Sequence, residues 1–280
     1  MLRFFYTCVM YLAQPFLWLS LLAGSIKESN SRKRLSERYG LYCKLSSPKP
    51  NGVLIHAASV GEVIAVVPLI KRIQHDYPDL PITVTTMTPT GSDRVKAVFG
   101  ESVTHVYLPY DLPDAVARFI RFVQPSLVVV IETELWFNLI HQLAKKQIPF
   151  VIVNARLSAR STKRYGWFKT ALKPLLENIT LIAPQDEVSL SRYAQLGIVP
   201  ERLKLTGNIK YDLNLTDDLL ANISALKTQW NAGRPIWIAA STHEGEDEII
   251  LKSHRTLLQR FPDLLLILVP RHPERFNSVA

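Results

Sequence analysis

A doubly wound, mostly parallel α/β sheet is the fold class that this sequence predicts. Short β-branched runs alternate with stretches of helical period, each about 10–15 residues long, the pattern of βαβ units. Runs such as LVVVI (127–131) are apolar without a break, as strands covered on both faces are. The pattern also restarts after GNIKYD (207–212), so a second α/β unit is expected to open there. With 280 residues, 48 % of them hydrophobic, the chain has material for one large domain or two.

The elements follow in order. From Phe4 to Ile26 no residue carries a charge, and FFYTCVMYLAQPFLWLSLLAG is rich in aromatics and leucine. About 20 such residues suffice for a helix to cross or enter a bilayer. Gln14 and Pro15 interrupt the run, so an in-plane or tilted helix fits as well as a span. Lys27, Arg32, Lys33, Arg34 and Arg38 follow as a basic flank of the kind that stays cytoplasmic. A cleaved signal peptide is the rival reading, disfavoured because Arg3 alone precedes the apolar run and basic residues crowd its far side. Residues 1–26 are therefore expected to be a membrane anchor and 27–50 a basic linker segment.

Strands are expected at 53–59, 82–88, 105–110, 127–133, 150–155 and 181–185. Helices are expected at 61–77, 90–99, 113–123, 134–147, 160–176 and 186–196. Together these make a first domain over 51–206. A second domain over 207–280 would hold a helix at 217–230, a strand at 235–241, a helix at 245–260 and a strand at 264–270. Two or three strands make a small open sheet, so that domain is expected to be incomplete.

In such sheets ligands gather at the carboxyl ends of the strands. HAASVGE (56–62), TPTG (88–91), ETELW (132–136) and PRHPERF (270–276) fall at such ends, and TGNIKYD (206–212) lies between the two halves. Ser59 and Glu62 have capping-box spacing, with Glu62 reaching back to the Ser59 amide; alternatively Glu62 is a base that takes a proton from an acceptor hydroxyl. The pattern leaves both open. Glu134 fits an acid at a helix start, near the positive end of the dipole. Glu132 ends a buried run directly and is better read as functional. STHEGE (241–246), with Ser241, Thr242 and an early Gly245, allows a second capping box between Ser241 and Glu244. It equally allows a turn whose amides hold a phosphate. Arg271, His272 and Arg275 suit a nucleotide phosphate or a basic surface turn.

NARLSARSTKRYGWFKTALKPLL (154–176) carries Arg156, Arg160, Lys163, Arg164, Lys169 and Lys173 among Tyr165, Trp167 and Phe168, and no acid. Solvated helix faces mix both signs, so a one-sign aromatic helix points to an anionic membrane surface or a phosphorylated lipid. The net charge of +9 agrees with an anionic partner. No recognisable nucleic-acid module accompanies that charge, which places nucleic acid low. Neither GxGxxG nor GxxxxGK[ST] is present, and the 7 histidines are scattered, so a dinucleotide, a P-loop nucleotide and a metal are not expected. The 2 cysteines, Cys8 and Cys43, have no redox or metal spacing.

Taken in order and spacing, RKRLSERYG (32–40), HAASVGE, ITVTTMTPTG, VYLPYDLP, ETELW, NARLSARS, TGNIKYD, STHEGE and LILVPRHPERF resemble the bacterial Kdo (3-deoxy-D-manno-octulosonic acid) transferases of lipopolysaccharide assembly. The resemblance runs over essentially the whole chain. It implies a GT-B architecture, two Rossmann-like domains facing across a cleft. It also implies inverting transfer of Kdo from CMP-Kdo to a glucosamine hydroxyl of the lipid A precursor, at the cytoplasmic side of the inner membrane, without metal or cofactor. By position, Glu62 then looks like the general base, and Glu132 and Lys210 like transition-state stabilisers. Pro270 and Arg271 look like part of the CMP site, with Ser241 and Thr242 beside them as donor-binding candidates. Arg156, Arg160, Lys163 and Arg164 become acceptor or membrane contacts. Where the family tends to read ETELWP, this chain has Phe137. The family continues past the position of Ala280, so the donor site is expected to be incomplete and these 280 residues alone inactive. Two other readings remain: a non-catalytic chain that docks on lipid or membrane, and a sugar-nucleotide epimerase of the same architecture, which would need no lipid.

Overall fold

The computed structural model describes residues 2–17, 34–43, 45–212, 217–230 and 233–280. Two compact units divide the chain, 1–213 and 214–280, and TGNIKYD sits with the first.

The first unit is built on a 6-stranded sheet of order β3-β2-β1-β4-β5-β6. Its strands are β1 (Val53–His56), β2 (Ile82–Thr86), β3 (Thr104–Tyr107), β4 (Leu127–Ile131), β5 (Phe150–Ala155) and β6 (Leu181–Pro184). Every neighbouring pair is parallel. Each strand stops short of or at its expected end, because the residues that follow turn into helices. These are α2 (Val60–Asp76), α3 (Pro89–Phe99), α4 (Pro113–Val123), α5 (Phe137–Lys145), the pair α6 (Ala159–Trp167) and α7 (Lys169–Leu176), and α8 (Glu187–Gln195).

Alternation along the strands sorts the core onto both faces. Leu54, Val128, Val130 and Ile152 pack with Phe119, Ile120, Leu139 and Leu143 of α4 and α5. Val53, Ile55, Val129 and Ile131 pack on the other face with Val63, Val66, Ile70 and Val95 of α2 and α3. Burial on both faces is what removes the polar alternation from these strands.

Three differences from the sequence reading have physical causes. The single helix expected over 160–176 is two, because Phe168 leaves helical geometry (φ −113°, ψ 19°) and caps both pieces, two residues after the weak helix former Gly166. The helix after β4 begins at Phe137, not at residue 134, because the turn 132–136 is held by side-chain bonds described below. Arg34 and Arg38 do not form a free basic flank. The Arg34 guanidinium binds both oxygens of buried Glu37, Ser92 Oγ at 3.0 Å and the carbonyl of His105. Arg38 donates to the Met87 carbonyl at 2.6 Å, and both guanidinium groups lie over the Tyr107 ring. Lys27, Arg32 and Lys33 lie outside the described residues.

At the N-terminus, α1 (Leu2–Leu12) docks on α5. Tyr6 stacks on Phe137 with ring centroids 4.5 Å apart, and Thr7 Oγ1 donates to Asn138 at 3.2 Å. Tyr11 donates to Asp114 at 2.7 Å. Phe5, Val9, Leu12 and Phe16 remain exposed. Their spacing, i, i+4, i+7 and i+11, places them on one face. Among the described residues no helix is long and apolar enough to cross a membrane. The part of the expected anchor over 18–26 lies outside the described residues.

In the second unit, α9 (Asp217–Trp230) precedes β7 (Ile236–Thr242), α10 (Glu246–Leu258), β8 (Leu265–Pro270) and α11 (Phe276–Val279), and β7 pairs β8 in parallel.

Candidate functional site

The strand order of the first sheet reverses between β1 and β4, which hydrogen-bond directly to each other. Connections leave these two strands in opposite directions, opening a crevice at their carboxyl ends where ligands bind in open α/β sheets. HAASVGE leaves β1 there and ETELW leaves β4.

Glu62 stands in the first turn of α2 as the capping pattern requires, but the reciprocal bond differs from the expected one. Ser59 Oγ accepts from the Glu62 amide at 3.4 Å and donates to Glu62 Oε1 at 2.9 Å. Oε2 accepts from the amide of Ala58 at 2.8 Å, one residue before Ser59. The Ser59 backbone is extended (φ −117°, ψ 165°), as that of an N-cap residue is. Burial raises the Glu62 carboxyl above its ordinary value; the Ala58 amide and Ser59 hydroxyl oppose this, and the negative charges of Glu134 and Glu132 add to it. The capping and base readings of Glu62 are therefore compatible: the cap aims a carboxylate whose proton affinity is raised.

Glu132 continues the ladder, its amide donating to the Val153 carbonyl at 3.0 Å, and then turns the chain with φ +62°. A left-handed backbone at a non-glycine residue costs on the order of 1 kcal/mol and persists where surroundings enforce it. Its carboxylate pairs with Lys210 Nζ at 3.3 Å. Lys210 is placed by two asparagines. The Asn208 side chain accepts the Lys210 amide at 3.0 Å, and Asn154 Oδ1 accepts the amide of Ile209 at 3.2 Å. Gly207, at φ +82°, makes the turn that leads in. The short turn 209–211 also packs against α2, the helix of Glu62. Asn154 itself has φ +52°, is 3 % exposed, and its Nδ2 is unpaired.

Glu134 does not belong to a solvated helix start. Its Oε2 accepts from Trp136 Nε1 at 2.9 Å and meets His56 Nε2 at 2.8 Å. Burial by itself would raise this carboxyl, but the bond and charge of His56 and the indole N–H hold it below its ordinary value. The start of α5 is served instead by Asp111, whose two oxygens accept the amides of Asn138 and Leu139, each at 2.9 Å. Burial raises Asp111, with those amides and Tyr6 opposing.

TPTG supplies a cap and no free turn, since Thr88 Oγ1 accepts the Gly91 amide at 3.1 Å at the start of α3. Arg156 is tied to the ETELW turn through its backbone, its amide donating to Thr133 Oγ1 at 3.2 Å. Its side chain and those of Arg160, Lys163 and Arg164 are exposed, as are Trp167 and Phe168.

The second unit gathers its own candidates. Thr242 pairs with Pro270 in the sheet, and the Arg271 amide donates to the Thr242 carbonyl at 3.0 Å. Ser241 and Arg271 are exposed, whereas the Thr242 hydroxyl is spent on Asp247 at 2.6 Å, and Arg275 clamps the same carboxylate. The expected Ser241–Glu244 capping box is absent. Ser241 belongs to β7, and Glu246 accepts the His243 amide at 2.7 Å ahead of a helix entered through Gly245 at φ +85°. A cavity of about 410 Å³ beside this turn is lined by Glu244, Asp247 and Glu248 together with Arg275, a mixture in which the acids oppose an anion. Among the described residues no group of three His, Cys, Asp or Glu side chains stands ready to hold a metal ion.

Sequence reasoning passed over His56, Asp111 and Asn154. Only His56 carried a signal, a histidine directly ending a buried β-strand next to SVGE.

Likeness to known proteins agrees with the layout. Solved structures of S. aureus MnaA with UDP (TM-score 0.54, 17 % identity, 82 % of this chain and 65 % of that one) and of UDP-GlcNAc 2-epimerase from Neisseria meningitidis (0.55, 18 %, 81 % and 68 %) are similar in fold. At such identities the likeness bears on fold alone, and it supports a GT-B-like, parallel α/β fold. In sequence, the chain is 61 % identical over its full 280 residues to a 3-deoxy-D-manno-octulosonic acid transferase of Haemophilus influenzae, covering 66 % of that protein. It is 34 % identical to a probable mitochondrial 3-deoxy-D-manno-octulosonic acid transferase of Arabidopsis thaliana, covering 98 % of this chain and 62 % of that protein. The chain thus spans slightly under two thirds of the length of these relatives. The family model for 3-deoxy-D-manno-octulosonic-acid transferase (kdotransferase) matches residues 33–213, which carry the whole crevice. On that match, the chain belongs to the 3-deoxy-D-manno-octulosonic acid transferase family.

Proposed function

We propose that this protein is a glycosyltransferase of lipopolysaccharide assembly that moves Kdo from CMP-Kdo to a glucosamine hydroxyl of the lipid A precursor, inverting at the anomeric carbon. The observation that carries this reading is that Glu62 and the Glu132–Lys210 pair both stand at the sheet's switch point, with the turn that bears Lys210 packed on the helix of Glu62, inside the family match. Glu62 takes the proton of the acceptor hydroxyl as that oxygen attacks. Its raised proton affinity suits a base that must hold the proton during the displacement. Lys210 offers a cation to the sugar carboxylate or departing CMP phosphate, and Glu132 positions it and balances positive charge at the anomeric centre. Pro270, Arg271, Ser241 and Thr242, all in the second unit, are assigned to the donor. No cofactor or metal enters this scheme.

The acceptor is a lipid, and the surface fits one. Arg156, Arg160, Lys163 and Arg164 expose cations beside Trp167 and Phe168, and α1 exposes one apolar face. We assign both to the cytoplasmic side of the inner membrane, with α1 lying in its plane. The same surface supports a second reading, a chain that binds lipid without transferring sugar.

The test is mass spectrometry of tetraacylated lipid A precursor after incubation with CMP-Kdo. The protein assayed is this chain fused to the C-terminal third of the 61 % identical relative. A lipid heavier by one or more Kdo units is expected. Unchanged lipid with intact lipid binding would replace the transferase reading by the second one.

A further inference from the structure

The crevice contains an arrangement that the proposed mechanism does not use. His56 is 0 % exposed at the last position of β1 and is the register partner of Thr85 on β2. Its Nδ1 meets Thr85 Oγ1 at 2.9 Å, and its Nε2 meets Glu134 Oε2 at 2.8 Å, across to the turn that leaves β4. A carboxylate only accepts, so the proton between His56 and Glu134 sits on Nε2. The Trp136 indole donates to the same oxygen at 2.9 Å and sets its ring edge to face with His56, centroids 6.0 Å apart. Burying a histidine next to a partly exposed carboxylate is costly unless both of its nitrogens are satisfied, and here both are.

We propose that His56 is a positioning residue: it latches the Glu134 carboxylate across the β1–β4 seam and so fixes a negative charge beside Glu62. This rests on reading Glu62 as the base. The groups that bear on Glu62 from the surrounding elements are the Ala58 amide, the Ser59 hydroxyl and the carboxylates of Glu134 and Glu132. Of the two carboxylates, Glu132 has its charge offset by Lys210 at 3.3 Å, whereas Glu134 is held by His56 and an uncharged indole. Glu134 nonetheless acts on Glu62 more strongly than Glu132 does, and it raises the proton affinity of the base. The latch also explains why β4 does not run straight into a helix. Residues 132–136 are drawn back toward β1, and α5 starts only at Phe137.

The test needs no turnover. Glutamate labelled with ¹³C at Cδ is incorporated into the 280-residue chain, and Glu62 and Glu134 are assigned by loss of their signals in Glu62→Gln and Glu134→Gln. In Glu134→Gln the Glu62 midpoint is expected to fall by about one pH unit. In Trp136→Phe, which keeps an aromatic ring and removes the indole donor, the Glu134 midpoint is expected to rise. His56→Gln is expected to raise it further. An unmoved Glu62 midpoint in a folded Glu134→Gln chain overturns the latch. If that variant does not fold, an unmoved Glu134 midpoint in Trp136→Phe and His56→Gln overturns it instead. The outcomes separate from those of the transfer assay. Lost transfer with the expected titrations counts against the proposed reaction, and transfer with unmoved titrations counts against the latch alone.

Discussion

Two side chains make opposite demands of pH. Burial lifts Glu62, so the folded protein holds its proton above the ordinary carboxylate range, and base catalysis needs the proton gone. Transfer is expected to rise with pH along a limb set by that raised value. Glu62→Gln should lower it by about 10²–10⁴-fold above that limb and remove the limb itself, read as Kdo-modified lipid per minute. A raised carboxyl contributes stability that is full below its unfolded value and lost as pH climbs through the folded value. Glu62→Gln should therefore flatten the fall in melting temperature across that window. His105 behaves in reverse. Burial first, then Arg34, Lys96 and Arg38, push its imidazole down to about 3, and Arg34 donates to Nδ1 at 3.0 Å while Nε2 faces Thr86. Its contribution is present above the ordinary histidine value near 6.5 and lost as pH falls toward about 3. His105→Gln should accordingly lose less melting temperature than the parent between roughly pH 6.5 and 4, measured by calorimetry. An equal or steeper acid loss in the variant would remove His105 from the account.

At the scale of elements, α1 is held to α5 by polar contacts more than by burial, since none of its residues is fully buried. Tyr6 links the two helices twice, through its ring on Phe137 and its hydroxyl on Asp111, the residue that caps α5. Tyr6→Phe keeps the ring and removes the hydroxyl. Asp111 keeps its two amide donors, so the expected cost is about 1 kcal/mol. Hydrogen exchange of the α1 amides should accelerate while exchange in β1 and β4 stays unchanged; equal acceleration everywhere would mean that α1 does not open on its own. Alternation of strands and helices made every element of the main sheet legible in the sequence, because apolar runs and helical periods are local signals. What it missed was decided between elements. The delayed start of α5 and the Ala58 amide bound by Glu62 depend on neighbours distant in sequence or on a cap one residue away. Glu132 was legible because it ends a buried run, whereas the role of Glu134 depends on His56, 78 residues earlier.

On the whole molecule the positive charge is uneven in a way that matters for a surface. Arg160, Lys163 and Arg164 lie within one exposed, acid-free turn and a half of α6, next to Trp167 at 71 % and Phe168 at 55 % exposure. In the same unit Phe5, Val9 and Leu12 of α1 are exposed, as is Phe16 just beyond it. A cavity of about 170 Å³ lined by Leu2, Arg3, Phe137, His141 and Ala171 shows that α1 borders α7, the helix that follows α6 in the chain. An anionic bilayer attracts nearby cations with about 1 kcal/mol each, and the attraction is screened by salt, whereas apolar insertion is not. The two contributions can therefore be separated. Vesicles of phosphatidylglycerol and phosphatidylethanolamine should float the parent chain at low salt. Triple replacement of Arg160, Lys163 and Arg164 by alanine should weaken partitioning by about 10²-fold at low salt, and by much less at high salt. Phe5→Ser with Val9→Ser should weaken it at every salt concentration, because the apolar face of α1 is removed. Salt-independent binding in the triple variant and the parent alike would leave α6 without a part in the membrane contact. Unchanged binding in the serine variant would take α1 off the bilayer and leave the basic, aromatic corner of α6 as the surface that meets the lipid.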